Sequence, residues 1–431
     1  MSADNLKTLD DWIEYAQTVH FRSIDMTLER IKIVFDKLNQ VLTNSVIILV
    51  GGTNGKGSSV AMLESIYFRA GYSTAAFTSP HLVSFNERYR VNGKNLTDSE
   101  LITSFQKIEK MRENIPLTYF EFATLVAIDA LVQKKPDVLI METGMGGRLD
   151  SVNILDPDCV LLTHIALDHT QWLGDNREDI GFEKAGLFRS NIPAVCGDYS
   201  PPERLLAHAR SVLADLKLIN EDYNYSVNQQ GWDWHGFDSS YHELQNLPLP
   251  SITGSGQLKN AAGVLMVIQV LAGKLPVDEA AIRNGLKNTV IQGRLQKLSF
   301  KNRHIVLDVA HNTDAVTVLN DYLSKYPVAG RTIAVLGMLA DKDVAEVIKR
   351  IYLNIDQWEL ADLNEARGAG AKQLMTELLQ VNGTVKYNCH NHPVAAFEAA
   401  VAQASSRDRI IVFGSFHTVG DVLVYINSKQ S

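Results

Sequence analysis

From residue 45 onward the chain alternates two patterns. Short, nearly unbroken apolar runs end on a glycine, a histidine or an acidic residue, and stretches with apolar positions at helical spacing lie between them. The runs "SVIILV" (45–50), "STAAFTSPH" (73–81), "DVLIMETGMGG" (137–147) and "DCVLLTHIALDH" (158–169) read as strands. "LERIKIVFDKLNQVL" (28–42) and "SSVAMLESIYFRAGY" (58–72) read as helices, the second ending at Gly71. Strands apolar on both faces, alternating with helices, predict a mostly parallel sheet covered on both sides. Such sheets bind ligands beyond the carboxyl ends of their strands, where these polar residues fall.

A second series begins near residue 300, with "HIVLDVAHN" (304–312), "RTIAVLGML" (331–339), "WELADL" (358–363) and "DRIIVFGSF" (408–416) as strands and 343–354 as a helix. Between the two series, "NTVIQGRLQKLSF" (288–300) is the expected junction. The stretch 222–254, richer in Asn, Gln, Trp and Pro and without periodicity, is expected to form hairpins or loops on the first domain. A chain of 431 residues exceeds the usual size of one core. The reading is therefore an α/β protein of two domains, 1–296 and a smaller, Rossmann-like 297–431.

Composition narrows the classes. A hydrophobic content of 45% and a charged content of 21% are ordinary for a globular enzyme. The formal net charge of -8 disfavours a protein that coats nucleic acid or an anionic membrane, though it leaves room for a local phosphate pocket. Three scattered cysteines, Cys159, Cys196 and Cys389, make neither a disulfide framework nor a C-x-x-C metal pattern. The polar, acidic start "MSADNLKTLDDWIEY" has no signal-peptide pattern, and no apolar run approaches a membrane span. A cytoplasmic location is expected.

The first candidate chemistry is "SVIILVGGTNGKGSS" (45–59), a glycine turn between a strand and a helix. Backbone N–H groups in such a turn point at phosphate oxygens, and the helix N-terminus adds positive potential. Lys56 would neutralise charge on the outer phosphates. The strict pattern G-x-x-x-x-G-K-[ST] is not met, because Val50 and Gly57 stand at two of its positions. Magnesium takes oxygen ligands, and Ser79, Glu142 and His169 end strands where such ligands would lie. Asp168 reads equally as a ligand or a helix cap. Asp308, His311, Ser415 and His417 follow strands of the second series, as nucleotide or acyl-group contacts or as turn and cap residues.

In fixed order the chain carries "GGTNGKGSS", "TSPHL", "TYFEFATL", "METGMGGRLDSVN", "ALDHTQWLG", "EKAGLF", "QGR" and "DVAHN". From about residue 10 to the C-terminus it resembles the folylpolyglutamate synthase/dihydrofolate synthase family of the Mur ligase superfamily. "LTYFE" and "GSFHTV" look most like its bifunctional bacterial members. The resemblance implies a P-loop ATPase domain followed by a glutamate-ligase domain. It also implies an ATP-dependent amide ligase that joins L-glutamate to dihydropteroate and to tetrahydrofolate through an acyl phosphate. ATP and one or two Mg2+ ions would be the cofactors, and the chain would act as a monomer.

Carried over by motif, Gly52, Thr53, Asn54, Gly55, Lys56 and Gly57 would hold the ATP phosphates. Ser79, Glu142 and His169 would be the metal ligands, and Lys184 would be carbamylated, turning a cation into an anion near the metal. Asn260, Arg294 and Asp308 would contact ATP, while His311 and Ser415 would lie at the glutamate and phosphate end, with Lys56, Lys184 and His311 as catalytic groups. The pterin would touch Asp25, Met26, Thr27 and Leu28, then Thr118, Tyr119, Phe120 and Glu121, then Leu149, Asp150 and Ser151. Gly51, Gln292 and Ser151-Val152 depart from the commoner family residues, which bears on substrate preference more than on the reaction.

Three other enzyme or switch classes share parts of this pattern. A ligase acting on UDP-linked peptidoglycan precursors would need a nucleotide-sugar domain before the loop, and too little chain precedes residue 51. A P-loop GTPase would carry N-K-x-D, which is absent. A monofunctional glutamate-adding enzyme shares all of these motifs.

Overall fold

The structure is a computed structural model describing residues 6–22, 24–38, 45–252, 254, 256–365 and 367–430. The helix expected over 28–42 is found at Glu29–Leu38; positions 39–42, like the first five of the polar N-terminal stretch, lie outside the described residues. The chain forms two compact units. The first comprises Met1–Pro80, Asn86–Ser251 and Leu258–Thr289; the second comprises Val290–Ser431 with the short segments His81–Phe85 and Ile252–Gln257. The second unit thus begins within the junction 288–300, upstream of residue 297.

Among the described residues the first unit has an eight-stranded sheet in the order Lys94–Asn95, Tyr89–Val91, Thr74–Phe77, Val138–Glu142, Val46–Gly51, Cys159–Leu162, Pro193–Cys196, Asp215–Leu218. The six from Thr74–Phe77 onward run parallel, and the first two form an antiparallel edge. Val46–Gly51 is central and flanked by strands from later in the chain, so the connections diverge at its carboxyl end. That divergence opens a crevice for a ligand. Tyr223–Val227, Trp232–Gly236 and Leu244–Leu247 form a small antiparallel sheet in the stretch expected to hold hairpins.

Local chemistry starts the helices. Thr8, Thr97 and Thr118 each cap a helix whose third residue, Asp11, Glu100 or Glu121, reaches back to the cap backbone. This reciprocal capping box satisfies two otherwise orphaned N–H groups. The helix Tyr119–Val132 is then almost wholly buried. The helix Lys56–Arg69 is pressed by Glu279–Lys287, whose Gly285 has no room for a Cβ beside Ile66.

The second unit's sheet has the order Gln296–Phe300, Arg303–Asp308, Arg409–Phe413, Thr332–Leu336, Gln357–Ala361, Lys386–His390. Its first strand is antiparallel and the others parallel. Alternation divides its core in two. Val306, Ala334, Leu336, Ile411 and Phe413 face one layer; Ile305, Leu307, Ile333, Val335, Ile410 and Val412 face the other. No helix among the described residues is long and apolar enough to cross a membrane.

Candidate active site

The glycine turn is built on a neighbouring strand end. Gly52 has φ 140° and Gly55 has φ 92°, both in the region that favours glycine. A Cβ at Gly52 would collide with Thr163 Oγ1, and one at Gly55 would sit 2.6 Å from Asn260 Oδ1. Thr163 Oγ1 lies 2.7 Å from the Asn54 carbonyl and 3.2 Å from that of Gly51. Thr53 N–H donates to the His164 carbonyl, and its hydroxyl pairs reciprocally with the Ala166 backbone at 3.1 Å. Lys56, the first residue of the helix, folds back so that Nζ donates to the carbonyls of Gly52 (3.0 Å) and Thr53 (3.3 Å).

The segment after this bracing strand is itself held from below. Asp198 is buried, and its carboxylate accepts from Ile165 N–H, Ser200 N–H and Arg177 Nη2, with the His164 ring 3.0 Å away. Burial pushes its pKa up, but His164 and the two N–H groups outweigh this and hold it well below the usual carboxylate range. Thr163, His164 and Asp198 were not selected from sequence. The available signal was a Thr-His pair at the end of a buried strand, which is weak taken alone.

Glu142 ends the strand beside the loop, is buried, and accepts Ser79 N–H at 3.2 Å. Next to it the Thr143 hydroxyl is buried without a hydrogen-bond partner and lies 3.6 Å from the position a Gly51 Cβ would take. His169 adopts φ 52° at the start of Thr170–Leu173, with Asp168 Oδ1 accepting its N–H. Gly52, Thr53, Lys56, Asp168, His169 and Lys184 line one cleft with Gly144–Gly146 and Leu173. Among the described residues no three His, Cys, Asp or Glu side chains converge on a metal position. A divalent ion held by Glu142, Ser79 and His169 would therefore fill its shell with phosphate oxygens and water, as magnesium commonly does. The partnerless oxygen beside Glu142 fits such an oxygen-rich site.

Lys184 lies on Arg177–Ala185 and is 3% exposed. Burial, then the nearby Lys56 charge, pulls its ammonium down to about 7, against Asp168 and Asp150. A cleft lysine near half-neutral at pH 7 is a nucleophilic amine. Its backbone is fixed by close packing, since a Cβ on Gly147 would come within 2.9 Å of Lys184 Cα.

The residues expected to meet the pterin divide into two kinds. Phe120 packs on Gly144, and the Met26 methyl lies near Gly146, 3.6 Å from where its Cβ would be. The carboxylates are engaged within the protein. Asp150 accepts from Met145 N–H (2.8 Å) and Val152 N–H (3.0 Å), and burial pushes its pKa up to about 6 against those bonds. Glu121 closes the capping box with Thr118, and Ser151 pairs with Thr124 at 2.6 Å. Tyr119 sits under the Arg88 guanidinium. Thr27 N–H donates to the Asp25 carbonyl, Leu28 follows it into the helix Glu29–Leu38, and Leu149 is half-buried.

In the second unit, Asp308 ends its strand buried, accepting from Leu295 N–H and Ala310 N–H at 2.8 Å each. Burial raises its pKa, opposed chiefly by Arg294. Arg294 and His311 both lie on the Phe416 ring. His311 Nδ1–H donates to the Val309 carbonyl, which leaves Nε2 as the basic nitrogen of the neutral ring. Ser415 Oγ accepts from Thr418 N–H at 3.0 Å, and His417 pairs with Glu365.

Comparison with known proteins supplies the family. The Mur ligase middle domain matches residues 50–197, and the Mur ligase glutamate ligase domain matches 293–416. The dihydrofolate synthase/folylpolyglutamate synthase of Escherichia coli (strain K12) is 40% identical over 423 residues, covering 98% of this chain and 96% of that protein. E. coli FolC solved in complex with DHPP and ADP superposes with a TM-score of 0.91 at 40% identity, covering 99% of each chain. A bifunctional folylpolyglutamate synthase/dihydrofolate synthase from Yersinia pestis, complexed with AMPPNP and Mn ion, gives 0.88 at 38% identity over 98% of each chain. Likeness of this extent, on a fold whose glycine loop and buried lysine share one cleft, places the chain in the dihydrofolate synthase/folylpolyglutamate synthase family.

Proposed function

We propose that this chain is an ATP-dependent amide ligase that joins L-glutamate to dihydropteroate and to the γ-carboxylate of tetrahydrofolate. The observation that carries the reading is the end-to-end likeness to an enzyme of that name, with the phosphate loop and its cleft intact. The acceptor carboxylate attacks the γ-phosphorus of ATP and releases ADP. The glutamate amine then attacks the acyl carbon, and phosphate leaves from the tetrahedral intermediate. Carboxylate oxygen is a poor leaving group, and phosphorylation corrects that.

Each residue has a physical task. N–H groups of Gly52–Gly57 cradle the phosphates, and Lys56 offsets negative charge gathering on the transferring group. Ser79, Glu142 and His169 would hold a divalent ion, which would supply Lewis-acid stabilisation of the phosphoryl oxygens. The neutral amine of Lys184 would add to the carbon of CO2 and release a proton, and the resulting carbamate would place a negative charge in the cleft. Asn260, Arg294 and Asp308 contact the nucleotide; His311 and Ser415 serve the glutamate end. A monomeric state and a cytoplasmic location complete the reading, the last supported by three unpaired cysteines.

Phosphate release is measured with ATP, Mg2+, glutamate and either dihydropteroate or tetrahydrofolate. Turnover with both is expected. Activity with tetrahydrofolate alone removes the synthase half of the reading, and silence with both removes the folate substrate.

A further inference from the structure

We propose that Arg30, which no motif singled out, is the positioning residue of the acceptor side of the cleft; this rests on the folate reading above. Its guanidinium joins two segments far apart in sequence. Nη1 donates to Asp25 Oδ2 at 3.0 Å and Nη2 to the Asp25 carbonyl at 3.0 Å. Nη2 also reaches both carboxylate oxygens of Glu121, at 3.2 and 3.3 Å. Glu121 is tied in turn to the backbone of Thr118 at 2.7 Å. One planar fork thus fastens the 25–28 segment to the first turn of Tyr119–Val132, a task that needs donors at fixed angles.

A buried histidine backs the same carboxylate. His20 Nδ1 lies 2.9 Å from the Arg22 carbonyl and 3.0 Å from Arg22 N, and Nε2 faces Asp25 Oδ2 at 3.5 Å. Asp25 and Glu121 are therefore committed to Arg30 and His20. The two segments place Met26 near Gly146 and pack Phe120 on Gly144. Both glycines line the cleft. Arg30 thereby sets the spacing of two apolar side chains that pack on the cleft's glycines and so shapes the side that takes a flat heteroaromatic acceptor, while the carboxylates it holds bond to protein.

The test uses the full chain with Arg30→Lys, which keeps the charge and loses the fork, and Arg30→Met. Circular dichroism first establishes which variants fold. The expected result is an acceptor KM raised about tenfold or more, the scale of a lost charge-assisted bond, with the KM for ATP within about twofold. Hydrogen exchange provides a readout independent of turnover. Amides of 25–28 and 118–122 should exchange about tenfold faster in the variants, while 52–57 keep their rates. If wild type turns over neither acceptor, the folate reading falls and exchange alone decides the role of Arg30. Unchanged exchange at both segments, or ATP and acceptor KM rising together, overturns the proposal. Should both Arg30 variants fail to fold, Glu121→Gln is measured the same way and judged by the same two criteria.

Discussion

Lys56 and Lys184 are two ammonium groups in one cleft, and the protein treats them oppositely. Lys56 is given carbonyl partners, whereas Lys184 is desolvated. Lys56→Ala should fold and lose about 100-fold or more in turnover; steady-state phosphate release checks this. For Lys184 the sign follows from its pKa. The folded value, about 7, lies below the ordinary 10.5, so the unfolded chain binds the extra proton between the two. Stability from this group therefore rises with pH from about 7 toward 10.5 and is at its lowest below 7. The neutral amine needed for carbamate likewise becomes dominant as pH rises through 7. In 13C-bicarbonate the carbamate resonance should grow between pH 6 and 8, and Lys184→Ala should lose it along with activity, the latter restored in part by small carboxylic acids.

Residue roles were unevenly legible. Gly52, Thr53, Lys56, His169 and Lys184 belong to motifs and line one cleft. Asp150 and Glu121 belong to motifs too, but their oxygens accept hydrogen bonds from the protein itself. A motif records that a carboxylate sits at a position, not which donors it faces. Arg30 was illegible for a related reason: its partners are 5 and 91 residues away.

At the scale of elements, apolar runs ending in a polar residue were enough to place the central parallel strands of both units. The edge strands Tyr89–Val91 and Lys94–Asn95 were missed because they are short and hold few apolar residues. Thr118 and Glu121 could have been read as a helix start from the T-x-x-E spacing alone. Thr118→Ala should cost about 1 kcal/mol, visible as a fall of a few degrees in Tm. The loop glycines differ from others with the same backbone. Gly71 has φ 93° and nothing within 4 Å of a Cβ, so Gly71→Ala pays only conformational strain, about 1 kcal/mol, and keeps activity. Gly52→Ala, at φ 140°, is strained as well and also meets Thr163, so it should abolish ATP-dependent turnover while most of the fold persists.

For the whole molecule, two compact units with separate sheets predict that unfolding is not a single transition. Four of the five tryptophans, Trp12, Trp172, Trp232 and Trp234, lie in the first unit, and buried Trp358 lies in the second. A variant retaining Trp358 alone should report a urea midpoint different from that of a variant lacking only Trp358. ATP with Mg2+ should move the first unit's midpoint upward by mass action. Coincident midpoints, unmoved by nucleotide, would mean one cooperative unit.

The back-folded Lys56 has a further consequence. Its two carbonyl bonds use two of the ammonium's three donors, so an incoming anion that takes more than one must compete with a contact already in place. A singly charged phosphate ester offers little more than the carbonyls do, whereas a polyphosphate chain offers much more. The expected consequence is a loop that binds a triphosphate more tightly than a monophosphate, by a margin that Lys56→Ala should narrow in a comparison of their Kd values.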